Sequence, residues 1–514
     1  MPEIVISVDR TMMSNHHGKE FLGFLATGPS VLLPEWLWLK ICCPKPKVID
    51  NLGRPLEAPY GLRKIEAKLI DAGFNAAVID PDYLHKHVKT AKLLLIGHHD
   101  FFAFGPPSSE WWLITGMEPV NRKSFIKFME SHPVNEMRRR GVKIVVGGPA
   151  AWQWWWEPEL WERWKIVTVI DGEAEKVVVD VVDKLLRGEP VPSYVYIGPH
   201  EVPSIDEIPI IKAPSVNGLV EIMRGCPRGC RFCSVTLRPL RFIPVEKIVE
   251  EVKVNKKFGI DHVILHSEDV LLYGAEGVIP REEPLLKLHK AVLPLVNDLA
   301  WAHASLAAIV VAQRRGRLVT KLTDLIYSST GQDYLGVEVG IETGSPRLAK
   351  IIMPAKAAPF TADEWPDVVE EAFAIMHEHN IIPAATFILG FPEERPDDVV
   401  KTIELLERLR PYRSIIVPML FVPMGVLKGS RAGVARMKLL REHAEAMRVA
   451  FWHTVKWAHD IMSRFYLRGT KHVLTRTLLS LFVRLAMKKM REIERKILPQ
   501  FEERELSLVA SKTV

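Results

Sequence analysis

Short apolar runs alternate with amphipathic stretches twice along the chain, and this alternation restricts the fold more than any other feature. In the first half GLRKIEAKLIDAGF carries apolar residues at helical spacing and ends at Gly73. AAVID follows, and KLLLIG, KIVVGG and KIVTVI are further short apolar runs, each preceded by a helix or loop. Strands that alternate with helices build a parallel, doubly wound sheet, so the expected fold class is α/β with a Rossmann-like first domain. The helix EKVVVDVVDKLLRG closes it, and the proline-rich stretch 189–206 reads as a linker. A second alternation starts near Val220 and runs to about Gly425, with LVEIM, HVILH, YLGVEVGI and AATFILGF as its strands. The expected division is a strand (EIVISVD) and arm over 1–45, a doubly wound domain over 46–195, a second α/β unit over 196–425, and a basic helical region over 426–514. With 514 residues the chain is long enough for two or three such cores.

Charge is spread unevenly. Residues 431–514 hold eighteen Lys and Arg against eight Asp and Glu, a net of +10 where the whole chain is +6, so basicity belongs to the tail. There RTLLSLFVRLAMKKMREIERKIL sets Leu478, Phe482, Leu485, Ile493 and Ile497 along one side of a helix, and Arg484, Lys488, Arg491 and Arg495 in a stripe. Such a helix packs on a neighbouring domain with a solvated outer face, or lies on an anionic membrane surface. Nucleic acid is the weaker partner, because few basic side chains flank the tail's aromatics in a stacking pattern. No apolar run reaches the roughly 20 residues of a membrane span. MPEIVISVDR lacks the charged-then-apolar order of a secretory signal, so a cytoplasmic location, peripheral at the membrane inner face if the tail binds lipid, is expected. Nine Asn and four Gln among 514 residues favour a heat-adapted host.

Three of only five cysteines, Cys226, Cys230 and Cys233, fall in RGCPRGCRFCSV with spacing C-x3-C-x2-C. An odd total that includes the neighbours Cys42 and Cys43 fits no disulfide framework. Thiolates are soft ligands for zinc or iron–sulfur centres, and Gly225, Pro227 and Gly229 let a short loop turn three sulfurs inward. A structural zinc or an electron-transfer cluster wants four protein ligands. This loop offers three, which leaves one coordination position for a substrate.

CPRGCRFC resembles the signature of the radical S-adenosylmethionine (SAM) superfamily, with Phe232 as the aromatic before the third cysteine. YLGVEVGIETGSPRL (334–348) and TFILGFPEE (386–394) resemble later strand motifs of the same superfamily, in the same order. The resemblance implies a partial (β/α)6 barrel over 196–425 and a [4Fe-4S] cluster on Cys226, Cys230 and Cys233. It implies SAM on the fourth iron, cleaved by one electron to a 5′-deoxyadenosyl radical, with a ferredoxin or flavodoxin as donor. Carried over by position, Phe232 lies near the adenine and Glu268, with Asp269 as an equal candidate, faces the amino group. Glu338 and Glu342 line the cofactor's side of the barrel, and Gly390 admits backbone to the nucleoside.

The domain in front resembles that of the cobalamin-binding radical SAM class through GLRKIEAKLIDAGF, GHHDFFAFGPPSS (97–109), VVGGPAAW and DGEAE, taken in order. The resemblance implies cobalamin over the strand ends, with Gly147, Gly148 and Gly172 closing on it. The D-x-H-x-x-G motif that supplies a cobalt ligand in some cobalamin proteins is absent. His98 and His99 are the nearest substitutes, although a loop histidine is ordinarily a polar surface residue. AWQWWWEPELWERW holds six tryptophans in fourteen residues, expected at a contact between domains or as a wall for a hydrocarbon or the corrinoid. DRTMMSNHHGKEFLGFLATGP resembles an archaeal group associated with tetraether-lipid (GDGT) ring synthases. That resemblance implies hydrogen abstraction from an unactivated carbon of a membrane tetraether lipid and C–C bond formation to cyclopentane rings. The alternatives are a cobalamin-dependent C-methyltransferase and, from another class, a non-catalytic iron–sulfur electron carrier. A tRNA methylthio enzyme is disfavoured, since Cys42 and Cys43 cannot supply its second cluster.

Overall fold

The computed structural model describes residues 1–18, 20–30, 34–422, 437–467, 473–496 and 504–506. The expected boundary at 425/426 lies outside them, as do Ile497 and the side chains of Leu478 and Phe482. The chain forms two compact units, one of residues 1–221 with 243–264, the other of 222–242 with 265–514.

The first unit is built on a six-stranded parallel sheet: β1 (Ile4–Ser7), β2 (Ala76–Val78), β3 (Leu93–Gly97), β4 (Lys143–Gly147), β5 (Ile166–Asp171) and β6 (Tyr194–Tyr196). Its order is β2-β1-β3-β4-β5-β6. β1 is therefore an inner strand and not a separate arm: all four of its residues are buried, and Ile4 pairs with Ala76 on one side and Leu93 on the other. The winding reverses between β1 and β3, and in open α/β sheets ligands bind at the carboxyl ends beside such a switch point. The helix Tyr60–Asp71 buries Arg63, Lys64 and Glu66 with its apolar residues, and each charge has a partner. Arg63 donates to Glu66 at 2.8 Å and to the Pro214 carbonyl at 2.9 Å; Lys64 pairs with Glu251. Buried ions need such partners. These bonds draw 209–214 and the helix Val245–Lys257 into the first unit, which is why it extends past the expected linker. Trp154 and Trp164 are fully buried among Phe101, Phe102 and Phe125, so these two tryptophans are core of this unit and line no other surface.

After β7 (Leu219–Glu221), the second unit begins with the antiparallel pair β8 (Met223–Arg224) and β9 (Arg241–Phe242). It continues with the last residues of β10 (His262–His266), then β11 (Asp298–Trp301), β12 (Leu335–Glu342), β13 (Ile381–Leu389) and β14 (Ile415–Leu420). Ala302 donates to Leu265 and Glu338 to Ala302, and β12, β13 and β14 pair in parallel. In β12 Leu335, Val337, Val339 and Ile341 are buried, whereas Gly336, Glu338 and Gly340 are half-buried; β13 repeats the pattern with Ala384, Thr386 and Ile388. One face of this partial barrel is thus packed against helices while the other lines an open interior. Ile382, Ile461 and Phe465, with Tyr334, Ile415 and Tyr466, close its amino-terminal end. Among the described residues no helix is long and apolar enough to cross a membrane.

Candidate functional site

The three cysteines lie on the loop between β8 and β9. Gly225, at φ +86°, starts it, and a Cβ there would stand 2.5 Å from the Pro239 carbonyl oxygen, so only glycine lets the two limbs of the loop approach. Cys230 is buried and Cys226 and Cys233 are half-buried. Burial raises all three thiol pKa values, that of Cys230 to about 12 and that of Cys233 to about 11; neighbouring cysteine charges add to the rise at Cys230 and Cys233, and those of Asp269 and Glu268 at Cys226. Three thiols near enough to repel as thiolates are a donor set that gains from a shared cationic centre. Among the described residues no three His, Cys, Asp or Glu side chains converge as a single metal ion requires. Three thiol donors on one short loop are the chemistry that an iron–sulfur cluster takes.

The loop is pinned on both sides of Cys230. Arg228, 2% exposed, donates to the carbonyls of Lys356 at 2.8 Å and Ala358 at 3.0 Å, and faces Asp269 at 3.6 Å. The Arg231 amide donates to the Ile352 carbonyl at 2.8 Å. Asp269 is itself buried and accepts from the Ser305 hydroxyl. Its carboxylate is engaged, whereas the half-buried Glu268 lies within electrostatic reach of Cys226 and Cys233.

The other expected residues gather at the same strand ends. The Phe232 ring sits 5.6 Å from Phe391, next to Gly390, which has φ +85° and donates its amide to Glu394 at 2.7 Å. Glu338 bonds His303 at 3.1 Å, and His303 reaches the Ser267 carbonyl with its other nitrogen. Burial opposes the charge on His303, but the hydrogen bond and charge of Glu338 outweigh it and lift the pKa to about 9. His266, beside it, is held neutral by burial, with its pKa lowered to about 4. Glu342 takes the left-handed φ of +61° and pairs with Lys356. Arg228, His266, His303 and Lys356 were not singled out from the sequence. Arg228 lies inside the quoted loop and His266 ends the quoted strand HVILH, but nothing local marks any of the four.

Gly147, Gly148 and Gly172 belong to the first unit. A Cβ on Gly148 would lie 2.8 Å from the His98 carbonyl oxygen, and one on Gly172 3.0 Å from that of Ile197. Both positions therefore need glycine for contacts within the unit. His98, at the switch point, is buried and not a surface residue: its Nε2–H donates to Asp9 at 2.9 Å and its Nδ1 accepts the Asp100 amide at 2.8 Å. It has no lone pair left for cobalt. His99 stays exposed.

Residues 220–406 match the model of the Radical SAM superfamily. The chain is 25% identical over 302 residues to an uncharacterized methyltransferase of Pyrococcus horikoshii, PH0819, an alignment spanning 52% of this chain and 58% of that protein. It is 24% identical over 336 residues to the tRNA-2-methylthio-N(6)-dimethylallyladenosine synthase of Magnetococcus marinus, spanning 62% of this chain and 69% of that one. In fold it resembles the radical SAM methyltransferase TsrM of Kitasatospora setae, solved with cobalamin and a [4Fe-4S] cluster bound. That likeness has a TM-score of 0.53 at 15% identity and covers 85% of this chain and 81% of TsrM. Over 220–406, the stretch that holds the cysteine loop and the parallel half-barrel, the chain therefore matches the Radical SAM superfamily.

Proposed function

We propose that the protein is a radical SAM enzyme that modifies an unactivated carbon of an apolar substrate. The observation that carries this reading is the three-thiol loop, pinned by Arg228 and Arg231 at the carboxyl ends of a half-barrel whose interior is open. With a [4Fe-4S] cluster and SAM bound, the site would supply one-electron cleavage of SAM to a 5′-deoxyadenosyl radical. Cys226, Cys230 and Cys233 hold the cluster, Glu268 faces the SAM amino group, and Phe232 and the Gly390 turn border the adenosine. The half-buried inner residues of β12 and β13, mostly small or apolar, receive the substrate carbon and keep water from it.

Cobalamin-dependent methyl transfer is the favoured reaction, because the TsrM-like fold extends over most of the chain, doubly wound unit included. Gly147, Gly148 and Gly172 would then border the corrinoid. The likeness to methylthio synthases does not extend to a second cluster: Cys42 and Cys43 are adjacent and buried against Ala26, Trp38 and Leu39. Ring closure in tetraether lipids is the second reading, supported by the exposed Leu481 and Leu485 beside Arg484 and Lys488 on the helix Val473–Lys496, which suit an anionic lipid surface. In that reaction two C–H bonds break, each hydrogen goes to one 5′-deoxyadenosyl radical, and one C–C bond forms. The two electrons come from a low-potential carrier of the ferredoxin or flavodoxin class.

Anaerobic reconstitution with iron and sulfide, then SAM and reductant, tests the assignment by mass spectrometry. Wild type should release 5′-deoxyadenosine and Cys230→Ala none; a product that survived the substitution would refute the site. Cobalamin-dependent S-adenosylhomocysteine with a methylated product selects the first reading. Loss of two hydrogens per lipid selects the second. A cluster indifferent to SAM would leave a plain electron carrier.

A further inference from the structure

His443 belongs to no motif quoted above and lies beyond the 220–406 match, yet it is tied to the site. It stands in the first turn of the helix Arg441–Ile461, which packs along β14. Arg413 bonds Asp460 at 2.8 Å, the Ser414 hydroxyl bonds His453 at 2.7 Å, and the Ile416 amide donates to Thr454 at 2.9 Å. The last turns of the helix thus lie beside the start of β14. Its first turn comes to the carboxyl end of β13, where the His443 Nε2–H donates to Glu394 Oε2 at 2.7 Å. The two side chains are 2% and 4% exposed.

Glu394 Oε2 also accepts the Gly390 amide at 2.7 Å. One buried carboxylate oxygen therefore joins the start of the helix to the glycine that leaves β13 with φ +85°. The 390–394 turn stands against the cysteine loop: the Phe391 ring is 5.6 Å from that of Phe232, and Glu393 is 3.8 Å from Arg231. A buried carboxylate that loses one of its donors loses more than a surface bond. The second nitrogen of His443 has a different task, since Nδ1 accepts the Leu440 amide at 3.1 Å and so caps the helix. With Nδ1 an acceptor, the ring proton sits on Nε2, as the bond to Glu394 requires.

We propose that His443 is a positioning residue for the site: through Glu394 it fixes the 390–394 turn against the cysteine loop and so sets how tightly the nucleoside half of SAM is held. The inference rests on the radical SAM reading, in which that turn borders the adenosine. It gives the helix after β14 a part in cofactor affinity.

The two nitrogens can be tested apart. His443→Gln keeps an acceptor for the Leu440 amide and a donor for Glu394, His443→Glu keeps the acceptor alone, and His443→Ala keeps neither. Equilibrium dialysis of labelled SAM against reconstituted protein, kept oxidised so that no SAM is cleaved and with iron and sulfide measured, compares them with wild type. The SAM dissociation constant should rise about tenfold in His443→Ala and His443→Glu and stay within about threefold of wild type in His443→Gln. Loss of the helix cap cannot produce that order, because His443→Glu retains the cap. A loaded His443→Glu or His443→Ala protein that binds SAM as wild type does, or a His443→Gln protein no better than His443→Ala, would overturn the proposal. If His443→Glu takes up no cluster, His443→Ala, Glu394→Ala and the double variant decide. A rise in both single variants that the double does not exceed supports the proposal, and no rise, or effects that multiply, overturns it. A wild type that holds its cluster but binds no SAM overturns the radical SAM reading, and this inference with it.

Discussion

At the scale of single residues, the cysteine loop depends on a buried cation that ligates nothing. Arg228 faces Asp269 with both side chains almost wholly buried, and Arg228 Nη2 and Asp269 Oδ1 have no hydrogen-bond partner. Burial raises the Asp269 pKa, while the Arg228 charge and the Ser305 hydroxyl counter it. Removing one member of a buried pair strands the other, at a cost of about 3–5 kcal/mol. Arg228→Met should therefore lower stability to denaturant by roughly that amount, and Arg228→Met with Asp269→Asn should recover part of it. A single variant as stable as wild type would show that the pair does not hold the loop. The three cysteines were legible because their spacing is local. Arg228 was not, since its partners lie 128 and 130 residues away and no pattern in the loop distinguishes a clamp from a spacer.

At the scale of elements, the strands were readable because apolar runs bounded by glycine have few other uses, and β3, β4, β5, β12 and β13 all fall on segments expected to be strands. What the pattern could not convey was membership. β1 reads as an isolated strand, and only its pairing to Ala76 and Leu93 makes it an inner member of the sheet. The helix Val245–Lys257 reads as part of the second alternation, yet Glu251 ties it to Lys64. Two predictions belong here. Gly172 combines φ +131° with backbone contact to Ile197, so Gly172→Ala should destabilise the first unit by ~1–3 kcal/mol, read as a lower thermal midpoint. On the helix Val473–Lys496, Leu481 and Leu485 are 54% and 50% exposed, with Arg484 and Lys488 exposed on the same helix. If that face meets lipid, the protein should sediment with anionic vesicles at low salt, and Leu481→Glu with Leu485→Glu should abolish this. No sedimentation by wild type would make the face an ordinary solvated one.

At the scale of the whole molecule, stability should depend on pH through histidines buried without charge. His289 is fully buried; its Nδ1–H donates to the Leu285 carbonyl at 2.8 Å, and its Nε2 accepts the Trp301 indole N–H at 3.1 Å. A second proton on Nε2 would face a donor, and burial already lowers the pKa to about 4. His453, paired with the Ser414 hydroxyl at 2.7 Å, is buried to a similar pKa of about 4. Both fall below the unfolded value of about 6.5, so the unfolded chain binds more protons in between. Their contribution is present above pH ~6.5 and is lost as pH falls toward 4, by ~3 kcal/mol for each histidine. His303 has the opposite sign. With its pKa raised to about 9, the stability from its bond to Glu338 is complete below pH ~6.5 and disappears as pH rises through 9. The second unit, which holds all three, should thus be most resistant to urea near pH ~6.5 as far as its histidines decide the matter. With His266 lowered to about 4 as well, His289→Gln should flatten the acid limb by about a third and leave the alkaline limb unchanged, whereas Glu338→Gln should flatten the alkaline limb alone. Urea midpoints measured from pH 4.5 to 9.5 separate the two, and an acid limb unaffected by His289→Gln would show that this histidine is not held neutral by the fold.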